Sequence, residues 1–238
     1  MLYELKGNLP FLGPIIPDEV RAVFDKHGKT AKSCKKDFIQ PHYAKNLIYV
    51  KKGIIGGYII NNNLSKAQIL RLVLPMRAYG GPLLLDGLYL ANHLFALTDT
   101  EYVSIGVSRF WDIISADYDL YKRCVHLFAA YETRDVERFY ILLTSRAEMR
   151  LRLLMRSLAM SLPQDENDPW LRIPAGITRE QYSKIIYTTT NTLDSILTRW
   201  KADRLYKRSG KDSFINRKLT EKIYREGRDF TEIFYEER

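Results

Sequence analysis

The stretch from Ile177 to Lys211, ITREQYSKIIYTTTNTLDSILTRWKADRLYKRSGK, restricts the possible folds more than any other part of the chain. Thr178 stands where a helix N-cap belongs, with Glu180 and Gln181 near the third position for a capping box. Tyr182, Ile185 and Ile186 give that helix an inner face running to about Ile186. Thr188 and Thr189 fall at a turn, and Thr189 can cap a second helix. In that helix Leu193, Ile196, Leu197 and Trp200 are three and four residues apart and so share one buried face. LYKR and SFIN, joined around Ser209-Gly210-Lys211-Asp212, then read as a β-hairpin. Helix, turn, helix and hairpin in this order predict a winged helix-turn-helix, which offers one helix to a DNA major groove and a hairpin to adjacent phosphates.

The charge in this stretch fits that shape. Arg199, Lys201, Arg204, Lys207, Arg208 and Lys211 supply six cations within thirteen residues, against Asp203 alone. Such a cluster is often only a solvated face, but beside a two-helix unit and a hairpin it matches a phosphate footprint. The outward face of the second helix carries Thr190, Asn191, Asp194, Ser195, Thr198 and Arg199. Asn191 is suited to an adenine edge, and Thr190 and Ser195 are short, adaptable donors. The expected DNA contacts are therefore Thr189, Thr190, Asn191, Ser195, Arg199, Lys207, Arg208 and Lys211.

The rest of the chain bounds the alternatives. With 238 residues and 46% hydrophobic content it can build one large or two modest cores. Lys and Arg number 37 against 28 Asp and Glu, which favours a polyanionic partner. Two distant cysteines, Cys34 and Cys124, with no CxxC spacing, give no basis for structural zinc, an iron–sulfur cluster or a disulfide scaffold. The four histidines are scattered, and no P-loop, HExxH or GxSxG occurs, so no metal, cofactor or catalytic residue is expected and an enzyme is disfavoured. The N-terminal residues do not form a signal peptide, and no apolar run of about 18 residues appears, so a cytoplasmic protein is expected.

Ahead of the basic stretch the pattern changes twice. LIYV (Leu47 to Val50), IIGGYII (Ile54 to Ile60), QILRLVL (Gln68 to Leu74) and EYVSIGV (Glu101 to Val107) have strand length and β-rich composition, suggesting a small sandwich or barrel. Gly56-Gly57 and Gly80-Gly81 read as bulge or turn glycines. SRFWDIISADY reads as a short helix with Ser108 available as N-cap. From Asp119 to Met160 there is neither glycine nor proline, and Val125, Phe128, Glu132, Asp135/Val136, Phe139 and Leu142/Leu143 recur at helical spacing. A break near Thr144-Ser145 separates a helix of about seven turns from a second one. A barrel before it and a DNA reader after it favour a dimer seam over a self-contained helical domain. Ser161 to Gly176, with Pro163, Pro169 and Pro174, reads as a boundary loop.

These segments together resemble the CRP/FNR family of bacterial transcription regulators from about Phe38 to Leu219. The resemblance is carried by YVKKGIIGGYI (Tyr49 to Ile59), ILRLVLPMRAYGGPLL (Ile69 to Leu84), ALTDTEYVSI (Ala96 to Ile105), RLRLLMRSLA (Arg150 to Ala159) and the stretch from Ile177. It implies an α+β chain with a cyclic-nucleotide-binding-like β-roll (a jelly-roll barrel) over 1–115. A dimerisation helix over 116–145 and a winged helix-turn-helix over 146–238 follow. It also implies a homodimer on a two-fold double-stranded DNA site, under control of a small-molecule effector.

Departures from the family pattern redirect the effector. Where nucleotide-binding members carry an arginine-serine pair, this chain has Leu90 and Ala91. Without that cation a buried cyclic phosphate would lie unpaired, at a cost of several kcal/mol. The stretch Leu83 to His93 is apolar and aromatic, and Tyr131, Arg134, Asp135 and Arg138 are expected across from it. Leu84, Tyr89, Leu90, His93, Tyr131 and Arg134 are therefore the expected effector contacts, for an aromatic molecule or an anion facing Arg134. FLGPIIPDE near the N-terminus resembles the branch that responds to halogenated phenols. The reading helix departs too: Thr190, Asn191 and Ser195 replace the family's arginine and glutamate readers, and Tyr187 stands where a turn glycine is common. A ligand-binding or scaffold protein with a degenerate DNA reader is the alternative.

Overall fold

The computed structural model describes residues 10–40, 45–59, 67–80 and 92–220. The chain divides into two compact units, Met1–Ile141 and Leu142–Arg238.

Among the described residues the first unit has eight strands and a helical flank. Its elements are α1 (Asp18–His27), β1 (Lys29–Ser33), β2 (Phe38–Gln40), β3 (Asn46–Lys52), β4 (Ile55–Ile59), β5 (Gln68–Val73), β6 (Ala78–Tyr79), β7 (Asn92–Ala96), β8 (Thr100–Gly106) and α2 (Val107–Ile114), followed by α3 (Tyr118–Thr144). Two four-stranded antiparallel sheets, ordered β1-β8-β3-β6 and β2-β7-β4-β5, make the roll. Alternation along β3 explains its central place: Ile48 and Val50 join Ile55, Val73 and Leu94 in one core, while Leu47 and Tyr49 join Val103, Ile105, Phe24 and Phe110 in another. That sheet is thus covered on both faces, by the second sheet and by helices. The strand register shifts between Gly57 and Tyr58, and a Cβ on Gly56 would stand 2.9 Å from Leu97, so β4 carries its bulge where glycine was expected to permit one.

The segment before α1 forms a strap on the roll. Phe11, Leu12 and Ile16 are buried, Leu12 bridges to Leu72, and Ile16 N–H donates to the Met76 carbonyl at 2.9 Å. Arg77 holds the strap through Nε to the Gly13 carbonyl at 2.8 Å. Two sequence expectations need correction. Helix α2 is capped by Gly106, not Ser108, because β8 runs straight into it and Ser108 is already inside the first turn. The stretch between Ser161 and Gly176 is not wholly loop, since it contains a strand.

That strand belongs to the second unit: α4 (Ala147–Met160), β9 (Trp170–Ile173), α5 (Arg179–Ile185), α6 (Thr190–Ala202), β10 (Tyr206–Ser209) and β11 (Asp212–Asn216). β9 pairs with β11, which pairs with β10, all antiparallel. Ser209 lies opposite Asp212, and Gly210 at φ +58° takes the first loop position, where a two-residue II′ turn needs positive φ. The helix break at Ser145-Arg146 falls where the sequence predicts it.

Candidate nucleic-acid interface and ligand cleft

Both helices of the reader are fixed at both ends by local bonds. The Thr178 hydroxyl accepts from Gln181 N–H at 3.2 Å while Gln181 Oε1 accepts from Thr178 N–H at 2.8 Å, a complete capping box. Thr189 caps α6, accepting from Thr192 N–H at 3.1 Å. Between the helices the chain turns at Tyr187, whose φ is +53°, and Thr188 N–H donates back to the Ser183 carbonyl at 3.0 Å. This is the six-to-one bond of a Schellman ending, so the turn forms normally with a tyrosine in the left-handed position. Helix α6 ends the same way: Arg204 has φ +54°, and Leu205 N–H donates to the Trp200 carbonyl at 2.7 Å.

Leu193, Ile196, Leu197 and Trp200 are buried, as their spacing requires, which turns the opposite face outward. Thr189, Thr190, Asn191 and Thr198 are exposed there. Ser195 is exposed too, but its hydroxyl donates to the Asn191 carbonyl at 3.0 Å. Asp194 pairs with Arg179 of α5 at 3.0 Å.

The expected phosphate contacts divide by their surroundings. Lys211 is exposed in the hairpin loop, and Arg208 is exposed with Nε donating to the Gly210 carbonyl at 3.2 Å. Lys207 is placed over aromatic rings, its Nζ 4.3 Å from the Trp170 ring centre and 5.2 Å from that of Phe214. Arg199 reaches Glu148 of α4 at 2.5 Å, and the neighbouring Trp200 Nε1–H donates to the same carboxylate at 2.8 Å. Burial alone would raise the Glu148 carboxyl, but these two donors outweigh it and hold it below its ordinary range. Glu148, Arg179 and Trp170 are parts of this surface that the sequence reading missed. Their partners come from other elements, so no local spacing marks them.

In the first unit a narrow cleft lies among the strap, β5, β6 and α3. Tyr131 and Arg134 line it, as do Phe11, Leu12, Tyr79, Arg71, Asp135 and Arg138. The Tyr131 hydroxyl donates to the Pro14 carbonyl and accepts from Ala78 N–H, both at 2.9 Å. Burial pushes this phenol well above its ordinary pKa, against the opposing Ala78 hydrogen bond. Arg134 pairs with Glu137 at 2.7 Å. Arg71 pairs with Asp135, which also takes Arg138 at 2.9 Å, and Glu132 stands 3.7 Å from Arg71. His93 does not line the cleft; it sits on β7 opposite Tyr58, its ring 6.2 Å from that of Phe38. Leu84, Tyr89 and Leu90 lie outside the described residues.

Along α3, Val125, Val136, Tyr140 and Leu143 are exposed on one side, Val136 at 68% and Leu143 at 85%. Among the described residues no helix is long and apolar enough to cross a membrane.

No family model matches the sequence, and no curated protein matches it. Solved structures do. FixK2 from Bradyrhizobium japonicum is 14% identical over 82% of this chain and 96% of that one, with a TM-score of 0.70. A transcriptional regulator of the CRP/FNR family from Thermus thermophilus is 17% identical over 81% and 97%, with a TM-score of 0.61. CprK, solved complexed with OCPA, is 14% identical over 88% and 94%, with a TM-score of 0.57. The chain therefore has the α+β fold of these regulators: a cyclic-nucleotide-binding-type β-roll followed by a winged helix-turn-helix.

Proposed function

We propose that this chain is a sequence-specific DNA-binding transcription regulator that works as a homodimer in the cytoplasm. The observation that carries the reading is α6, capped at both ends, with Thr190, Asn191 and Thr198 turned outward beside a hairpin bearing Arg208 and Lys211. In this reading Thr189, Thr190, Asn191 and Ser195 meet base edges or sugar, and Arg208 and Lys211 meet phosphates. Lys207 keeps the hairpin on Trp170 and contributes charge from there. The residues 1–115 form the effector domain, 116–145 the dimer helix and 146–238 the reader.

The exposed stripe of α3 supports the dimer. A solvated helix has no reason to keep Val125, Val136 and Leu143 at one angular position, whereas a second copy would bury them. Two readers related by a two-fold axis then match two half-sites. The effector in this reading is small and aromatic or halogenated-aromatic, held among Phe11, Tyr79 and Tyr131, and is not a cyclic nucleotide. Leu90 and Ala91 supply no cation for a cyclic phosphate. That Tyr187 leaves the turn bonds intact supports this reading over a scaffold with a spoiled reader.

Selection of genomic fragments by the purified protein tests the reading. A recurring two-fold sequence bound by a dimer is the expected result. Recovery of no enriched palindrome at low salt, with or without aromatic ligands, would sink it. Val136→Glu with Leu143→Lys should give a monomer by sedimentation, and a dimer unaffected by this change would remove α3 as the seam.

A further inference from the structure

The cations of the reader unit are not equivalent. Lys201, Arg204, Arg208 and Lys211 are exposed, and among the described residues no carboxylate lies in ion-pair range of them. Arg199 is different. Its Nη2 meets Glu148 Oε2 at 2.5 Å, and Glu148 Oε1 accepts from Trp200 Nε1–H at 2.8 Å. One carboxylate thus takes two consecutive residues of α6, one from its exposed side and one from its buried face.

The indole makes this more than a surface ion pair. An exposed pair is weak because two flexible side chains must be held in one geometry. Trp200 is 1% exposed, so its N–H has no water to turn to and must keep its acceptor. The acceptor is Glu148, in the first turn of α4, and its carboxylate is therefore fixed before Arg199 arrives. Arg199 meets a preset partner and only its own side chain loses freedom. A DNA phosphate approaching that guanidinium would meet the fixed Glu148 carboxylate beside it, which already neutralises the cation and repels the phosphate, whereas among the described residues no carboxylate is in ion-pair range of the other four.

We propose that Glu148 is a positioning residue that withholds Arg199 from DNA, so that the phosphate footprint of the reader is set by the unpaired cations and not by Arg199. The inference rests on the DNA-binding reading. It predicts that the most helix-proximal cation of the basic cluster is silent in binding.

The salt dependence of affinity for a short random-sequence duplex tests it in the full chain, because each phosphate contacted adds about 0.9 to the slope of log affinity against log salt. Wild type and Arg199→Ala should show the same slope. Glu148→Gln keeps an acceptor for Trp200 but drops the charge, so it should release Arg199 and steepen the slope by about 0.9 per protomer. Glu148→Gln combined with Arg199→Ala should return to the wild-type slope, and the unchanged slope of Arg199→Ala alone separates a new contact from a general charge effect, which would lower it. A slope already reduced in Arg199→Ala overturns the proposal, as does an unchanged slope in Glu148→Gln with native tryptophan fluorescence. If the wild type binds no duplex at any salt, the DNA-binding reading fails with it. If it binds and the variants behave as wild type, only the role of Glu148 fails.

Discussion

The carbonyl of Tyr187 accepts a hydrogen bond from Arg150 Nη1 at 3.3 Å, tying the left-handed turn between α5 and α6 to α4. Tyrosine at φ +53° carries a backbone cost that glycine avoids, of about 1 kcal/mol. Removing the ring also removes its contacts, so the informative comparison is between two truncations. Tyr187→Gly should be more stable than Tyr187→Ala by about 1 kcal/mol in urea, followed by tryptophan fluorescence. The same difference should appear between Arg204→Gly and Arg204→Ala, since Arg204 closes α6 at φ +54°. Equal stabilities within each pair would mean that these turns carry no such cost.

Asp135 is the shared anion of two buried guanidiniums, with Arg71 10% and Arg138 5% exposed at the side chain. Its removal takes away the anion that both guanidiniums share, with Glu132 3.7 Å from Arg71. Breaking a buried pair from one side costs about 3–5 kcal/mol, because the surviving charge stays desolvated. Asp135→Ala should lower the stability of the first unit by that order. Adding Arg71→Met to Asp135→Ala should recover part of the loss. A double variant as unstable as the sum of the two single changes would show that the two residues act independently.

Alkaline pH should weaken both units through two tyrosines. Burial raises Tyr131 in the first unit and Tyr182 in the second. An unfolded tyrosine loses its proton near pH 10, while these folded phenols keep theirs. Their contribution is therefore complete below about pH 10 and is lost as pH rises above it, by up to about 1.4 kcal/mol per pH unit for each group. Tyr131→Phe lowers stability at every pH by orphaning Ala78 N–H, yet it should flatten the alkaline loss for the first unit. Denaturant midpoints between about pH 8 and 10.5 that fall with the same slope in both proteins would contradict this.

What could be read from sequence follows from the range of the interactions involved. The caps at Thr178 and Thr189 span three residues and the buried face of α6 lies within a single helix, so both are written locally. The hairpin at Gly210 is local as well. Strand β9 was hidden because Trp170 to Ile173 sits between Pro169 and Pro174, and its partner is β11, with Ile173 opposite Ser213. Glu148 and Arg71 gave no signal because each meets a partner on a distant element, Glu148 across 51 residues from Arg199. The family resemblance placed Tyr131 across from the roll. The Arg134–Glu137 pair is three residues apart and was legible, whereas Arg71 meeting α3 through Asp135 joins distant elements and was not. The strap was legible only as a motif; that Gly13 permits the Tyr131 ring within 1.8 Å of where a Cβ would stand is a matter of tertiary packing.

Two exposed residues of the reader should fail in different ways. Asn191 lies in the first turn of α6 with its amide outward, and an asparagine amide can bond both N6 and N7 of adenine. Lys211 lies at the tip of the hairpin, where a cation meets phosphate whatever the sequence. Asn191→Ala should cost about 1–3 kcal/mol on the selected site and relax the preference at one base position per half-site, with the salt slope unchanged. Lys211→Ala should weaken selected and random duplexes alike and lower the salt slope by about 0.9 per protomer. Competition titrations over a salt series separate the two outcomes. Loss of base preference in Lys211→Ala, or a reduced slope in Asn191→Ala, would reverse the assignment of these residues and move the base-reading surface from α6 to the wing.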